Sequence, residues 1–110
     1  MFLDDPKYKK DVLRLALFIG EIMLSNGAET YRVEDTIKRI CSSRGFNHVN
    51  VFATPTALII SDERFDGYSF MKTIKKRSIN LGRISLLNDF SRDFVSNPNM
   101  TVKESVHRLK

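Results

Sequence analysis

Cysteine occurs once in the 110 residues, as Cys41, so no internal disulfide can form. A bridge-stapled secreted scaffold is excluded, and a reducing compartment is expected. The same scarcity argues against a metal centre. Zinc sites draw on Cys/His pairs two to five residues apart, whereas His48, His107 and Cys41 stand alone. Neither a metal nor a cofactor is expected. Three prolines and five glycines are too few for a collagen-like, low-complexity or disordered chain. Glycine-rich phosphate loops and a GxSxG elbow are missing, which removes the simplest nucleotide-binding and hydrolase signatures. A long apolar run is missing as well. The longest, Val12 to Leu24, is broken by Arg14 and Glu21, short of the roughly 20 apolar residues of a membrane span. Asp4 and Asp5 stand where a secretory signal carries basic residues, so no signal peptide is expected.

What is present is ordinary for a globular domain: 42% hydrophobic and 28% charged residues. The length suits one core of the usual size, about 100–150 residues, so residues 1–110 are expected to form a single domain. With 18 Lys+Arg against 13 Asp+Glu the net charge is +5. That favours an acidic partner, such as phosphate or an anionic membrane surface, without naming one.

A helical projection of residues 7–25 gathers Lys7, Lys10, Asp11, Arg14, Glu21 and Ser25 on one narrow side. Apolar residues fill more than half of the circumference. Such a helix is either central, with partners on two sides, or docked on something outside the sequence. Asn26-Gly27 ends it. A second helix is expected from Ala28 or Glu29 to Arg44, with Val33, Ile37, Ile40 and Cys41 as its apolar stripe and Glu29, Thr30 and Glu34 at the end or edge of that stripe. Three strands follow: His48–Ala53, Ala57–Ser61 after the Thr54-Pro55-Thr56 interruption, and Tyr68–Arg77 after an Asp66-Gly67 turn. Asn80 is a suitable N-cap for a helix over Leu81–Ser96, whose stripe holds Leu81, Ile84, Leu87, Phe94 and Val95, with Asn88 and Ser91 inside it. Thr101 and Glu104 form a capping-box signature for a last helix. The predicted fold is α+β in the order ααβββαα, a small antiparallel three-stranded meander with helices on one face.

Two polar features invite both a structural and a functional explanation. Glu29, Thr30, Arg32 and Glu34, with Glu21 just before them, read either as surface ion pairs and dipole-compensating acids or as a site. Lys72, Lys75, Lys76 and Arg77 read either as a solvated strand end or as a contact for phosphate or anionic headgroups. Aromatic interleaving around that basic cluster is thin, which disfavours nucleic acid.

The segments Leu24-Ser25-Asn26-Gly27-Ala28-Glu29-Thr30-Tyr31-Arg32-Val33-Glu34, Val51 to Thr56, Ile79-Asn80-Leu81 and Asn88-Asp89-Phe90-Ser91-Arg92 together resemble the N-terminal soluble domain of the threonine/serine exporter family. The resemblance runs from about Leu13 to Leu109. It implies a bacterial inner-membrane transporter for threonine and serine, or for a small dicarboxylate, in which this region precedes the transmembrane helices on the cytoplasmic face. The expected partners are that transmembrane half, on the same or a partner protein, a small amino-acid or dicarboxylate ligand, and further copies of the chain. Gly27, Glu29, Thr30, Arg32 and Glu34 match the family's first motif, Pro55 and Thr56 its second, and Asn80, Asn88 and Arg92 its third; Glu21 matches a further position. These groups are expected to converge, either as a ligand site or as a buried polar network that locks the domain. The apolar excess of the first helix would dock the membrane half or a second copy. An accessory, non-enzymatic role is therefore expected. The alternatives are a hydrolase-like or metabolite-binding domain using Glu21, Glu29, Arg32 or Glu34, and an anionic-surface or nucleic-acid binding module using Lys72, Lys75, Lys76 and Arg77.

Overall fold

A computed structural model describes residues 6–63, 69–75 and 80–109. Its elements are α1 (Pro6–Ser25), α2 (Thr30–Ser43), β1 (Val49–Thr54), β2 (Ala57–Asp62), β3 (Ser69–Thr73), α3 (Leu81–Ser96) and α4 (Val102–Leu109). The ααβββαα order and the three-stranded antiparallel sheet agree with the sequence reading. β3 is shorter than expected. Tyr68 and the Asp66-Gly67 turn, like Lys76 and Arg77, lie outside the described residues.

Helix ends follow local chemistry. Past α1, Gly27 adopts φ 91°, so its N–H donates to the Leu24 carbonyl (3.1 Å) and that of Ala28 to Met23 (2.9 Å). Gly45, at φ 88°, closes α2 in the same way, with donation from Gly45 N to Ser42 O and from Phe46 N to Cys41 O. Both are glycine-dependent stops in which orphan carbonyls find donors. Asn80 caps α3 by accepting from Arg83 N at 3.0 Å, and Thr101 caps α4 by accepting from Glu104 N at 3.0 Å.

The apolar circumference of α1 is explained by its position. Val12, Leu13, Leu15, Ala16, Ile19, Met23 and Leu24 are at most 1% exposed, and the helix packs on α2, α3, α4, β2 and β3. It is central, so its apolar excess is absorbed within the domain rather than left as a docking face. Gly20 permits the closest of these approaches. A Cβ there would stand 2.6 Å from Leu58 Cδ2 and 2.7 Å from Ile37 Cδ1, both on side chains with no exposure.

The sheet runs β1-β2-β3. Val51 pairs with Ile60 and Ala53 with Leu58 on the face covered by α2 and α1, where Phe70 sits opposite Ile60. The other face carries Asn50, Phe52 and Thr54 on β1, Ala57, Ile59 and Ser61 on β2, and Ser69, Met71 and Thr73 on β3, none of them charged. The ends of the sheet are tied to α1 by ion pairs, Lys9 to Asp62 and Lys72 to Glu21 at 3.8 Å. Cys41 is buried beneath α2, and burial pushes its thiol up to about 12; it is unionised at neutral pH and chemically quiet.

Two residues expected in the α3 stripe turn out to be exposed: Leu81 at 71% and Val95 at 38%. The buried face instead runs through Ile84, Leu87, Phe90, Ser91 and Phe94. Leu81 and Val95 lie around the helix from this line, on the flank that is turned toward α2 and left partly open to water. Ser91 fits its apolar surroundings by donating to Leu87 O at 2.8 Å.

The crowding at Gly20 sets a test. Ala in place of Gly gains about 1 kcal/mol of helix propensity in an ordinary helix interior, but overpacking of a filled core costs about 1–3 kcal/mol. Gly20→Ala is expected to lower unfolding free energy by about 1 kcal/mol in urea titration. A gain of stability would show that α1, α2 and β2 do not approach this closely.

Candidate functional site

α2 and α3 lie side by side and run in the same direction, because they are tied at both ends. At the N-terminal end Asn80 N donates to Asn26 O at 3.1 Å. At the C-terminal end the buried Arg44 guanidinium donates to Phe94 O (3.0 Å), Asn97 O (3.1 Å) and Met100 O (2.9 Å), and stacks 3.7 Å from the centroid of the Phe94 ring. Between these ties the two helices leave an open groove of about 870 Å³. Arg32, Asp35, Thr36 and Arg39 line it from α2, with Tyr31 at its rim; from α3 come Leu81, Ile84, Ser85, Asn88, Arg92 and Val95.

The groove is basic and partly apolar. Arg39 pairs with Asp35 at 2.9 Å, Arg92 pairs with Asp89, and Arg32 forms no ion pair among the described residues. The Arg32 guanidinium is raised above its ordinary value by a hydrogen bond to the Tyr31 side chain, then by the Tyr31 and Glu29 charges. It therefore remains a fixed cation at any physiological pH.

The structure distributes the sequence-derived residues over several places. Arg32, Asn88 and Arg92 meet in the groove. Glu34, two residues from Arg32 and so about 200° around the helix, faces the sheet instead, where its Oε2 accepts from Ala53 N at 3.0 Å. That bond satisfies a backbone donor at the end of β1, beside the exposed Pro55 and Thr56. In this turn Thr54 Oγ1 accepts from Ala57 N at 3.0 Å, and Thr56 O accepts from Ile74 N at 2.8 Å. Glu21 is joined to Lys72 under the sheet. Glu29 is the exposed N-cap residue of α2 and makes no side-chain cap, and Thr30 opens the helix. Gly27 and Asn80 serve the helix boundaries. Lys75 is exposed, so of the basic cluster Lys72 is held by α1 and Lys75 faces solvent.

Sequence reasoning missed Asp35, Arg39 and the exposed role of Leu81. The signal was present as one-turn spacing from Arg32 through Asp35 or Thr36 to Arg39, which places them on one side of α2. Arg44 was missed for a different reason: its partners lie some fifty residues away.

Fold and groove define a small α+β domain, with no helix among the described residues long and apolar enough to cross a membrane. Residues 14–110 match the family model described as "putative threonine/serine exporter" (ThrE), and the chain belongs to that family. The motif segments at 24–34, 51–56, 79–81 and 88–92 all fall within the match. No curated protein and no solved structure shows a significant match.

The Arg44 tie is open to direct test. Arg44→Met leaves Phe94, Asn97 and Met100 carbonyls without their donor and should cost roughly 2–4 kcal/mol of unfolding free energy. Arg44→Lys should recover little of it, because an ammonium cannot reproduce the fork of a guanidinium. A loss below about 0.5 kcal/mol for the Met variant, the size of an ordinary surface change, would contradict the tie.

Proposed function

We propose that this chain is an accessory, regulatory domain of a threonine/serine exporter, standing at the cytoplasmic face of the bacterial inner membrane and working with a transmembrane part on the same or a partner protein. The observation that carries this reading is the family match over residues 14–110 in a domain whose described helices cannot cross a membrane. The +5 charge suits the cytoplasmic side, where basic residues accumulate beside membrane-spanning helices. Threonine and serine are the expected cargo, with a small dicarboxylate as the variant.

A role in recognition rather than catalysis is supported by what lines the groove. Asp35 is its carboxylate, and Arg39 engages it at 2.9 Å. General acid–base chemistry needs a free acid or base within reach of a bound substrate, whereas the groove offers guanidinium, amide and hydroxyl groups set beside apolar side chains. Glu34, the acid an enzymatic reading would favour, spends its carboxylate on Ala53 N.

The test is threonine release from cells loaded with a threonine-containing dipeptide. Deleting codons 14–110 from the encoding gene, with the membrane level of the remaining exporter verified, should reduce efflux several-fold or abolish its response to internal threonine. Efflux that is unchanged in rate and in threonine response would contradict the proposal.

A further inference from the structure

The α2/α3 groove contains more than a metabolite site requires. Its volume of about 870 Å³ lies near the top of the range filled by drug-sized ligands, about 300–1,000 Å³, and far exceeds what one serine or threonine occupies. It is also open rather than enclosed. Leu81 is 71% exposed, Tyr31 60% and Val95 38%, so the groove presents apolar surface to water over a length of about 21 Å, the rise between positions 81 and 95 of a helix. Arg and Tyr are among the residues enriched at the binding hot spots of protein interfaces.

From these features we infer that the groove docks an acidic amphipathic helix supplied by a protein partner. Three observations select this occupant. First, the charge is complementary. Arg32, Arg39 and Arg92 face the groove. Arg39 and Arg92 each hold one exposed carboxylate of their own helix, Asp35 and Asp89, while Arg32 forms no ion pair among the described residues, and Arg32 and Arg39 stand two helical turns apart on one side of α2. Carboxylates spaced one or two turns apart on a partner helix meet such a row, each able to take a guanidinium in two parallel hydrogen bonds. Second, the walls are two helices, whose backbone groups between the first and last turns are paired within each helix. An extended strand entering here would leave its own backbone unpaired, whereas a helix arrives with its backbone satisfied. Third, Leu81, Ile84, Asn88 and Val95 recur at three- to seven-residue spacing along α3. They form a seam into which apolar side chains at i, i+3 or i+4, and i+7 of a third helix can pack.

This inference goes beyond the exporter reading and does not depend on it. A groove that binds the helix while deletion leaves efflux unchanged would keep the docking site and remove the exporter role. The opposite pair of results would do the reverse.

The experiment is an NMR titration of the isotope-labelled full chain with a synthetic helical peptide about five turns long, carrying leucines along one stripe and glutamates beside it. Amide shifts should cluster in residues 31–39 and 81–96. Arg32→Glu and Arg92→Glu should each weaken binding about tenfold or more, and raised salt should weaken it for the native chain. Leu81→Ser should weaken it as well, while Leu86→Ser, equally exposed but outside the groove, should not. All four positions are exposed, and circular dichroism confirms the fold of each variant. Binding mapped to another surface, unchanged affinity in the charge-reversed variants, or equal binding of a lysine version of the peptide would overturn the inference. So would shifts in the same residues with millimolar threonine, serine or succinate and none with the peptide, which would assign the groove to a small carboxylate.

Discussion

The apolar circumference of α1 is the constraint around which the domain is arranged. A helix with so few polar positions is stable in water only if covered on nearly every side. Here α2, α3, α4 and the inner face of the sheet supply that cover. Each partner then needs only one apolar face of its own, which is why α2 and α4 read as ordinary amphipathic helices. The polar residues left on α1 become anchors: Lys9 reaches Asp62, Glu21 reaches Lys72, and Arg14 lies over the Phe70 ring.

One consequence is the groove. Because both α2 and α3 must reach α1, they come to lie beside one another, and the Asn26–Asn80 and Arg44 contacts hold them in register at their two ends. Their flanks away from α1 remain open to water. Helical geometry divides the charged residues of α2 accordingly. Arg32, Asp35 and Arg39 take the open flank, while Glu34 takes the side of the sheet and satisfies the end of β1. A dense motif in sequence thus serves two separate purposes in space, one facing outward and one structural.

Much of the fold was legible because it is encoded locally. The glycine stops at Gly27 and Gly45, the caps at Asn80 and Thr101, and the strand-forming runs of β1 and β2 on either side of Pro55 each depend on a few adjacent residues, and each lies where the pattern puts it or within a residue or two. The site was less legible. Leu81 and Val95 share the apolar character of Leu87 and Phe94, and periodicity alone does not say which of two neighbouring faces of α3 meets the core. Arg32 and Glu34 look like one cluster until their angular separation is taken into account. Arg44 looks like a charge at the end of a helix, whereas its energetics come from carbonyls beyond position 90. These are facts of tertiary placement, and local patterning is blind to them.

The central claim is that α1 is enclosed by its own domain, and native-state hydrogen exchange on the 110-residue chain tests it most directly. The amides of α1 from Val12 to Leu24 should exchange only through global unfolding, with protection matching the stability measured in denaturant. Exchange of those amides at a much lower free energy, while α2 and the sheet stay protected, would show that α1 detaches from the core and would contradict the account.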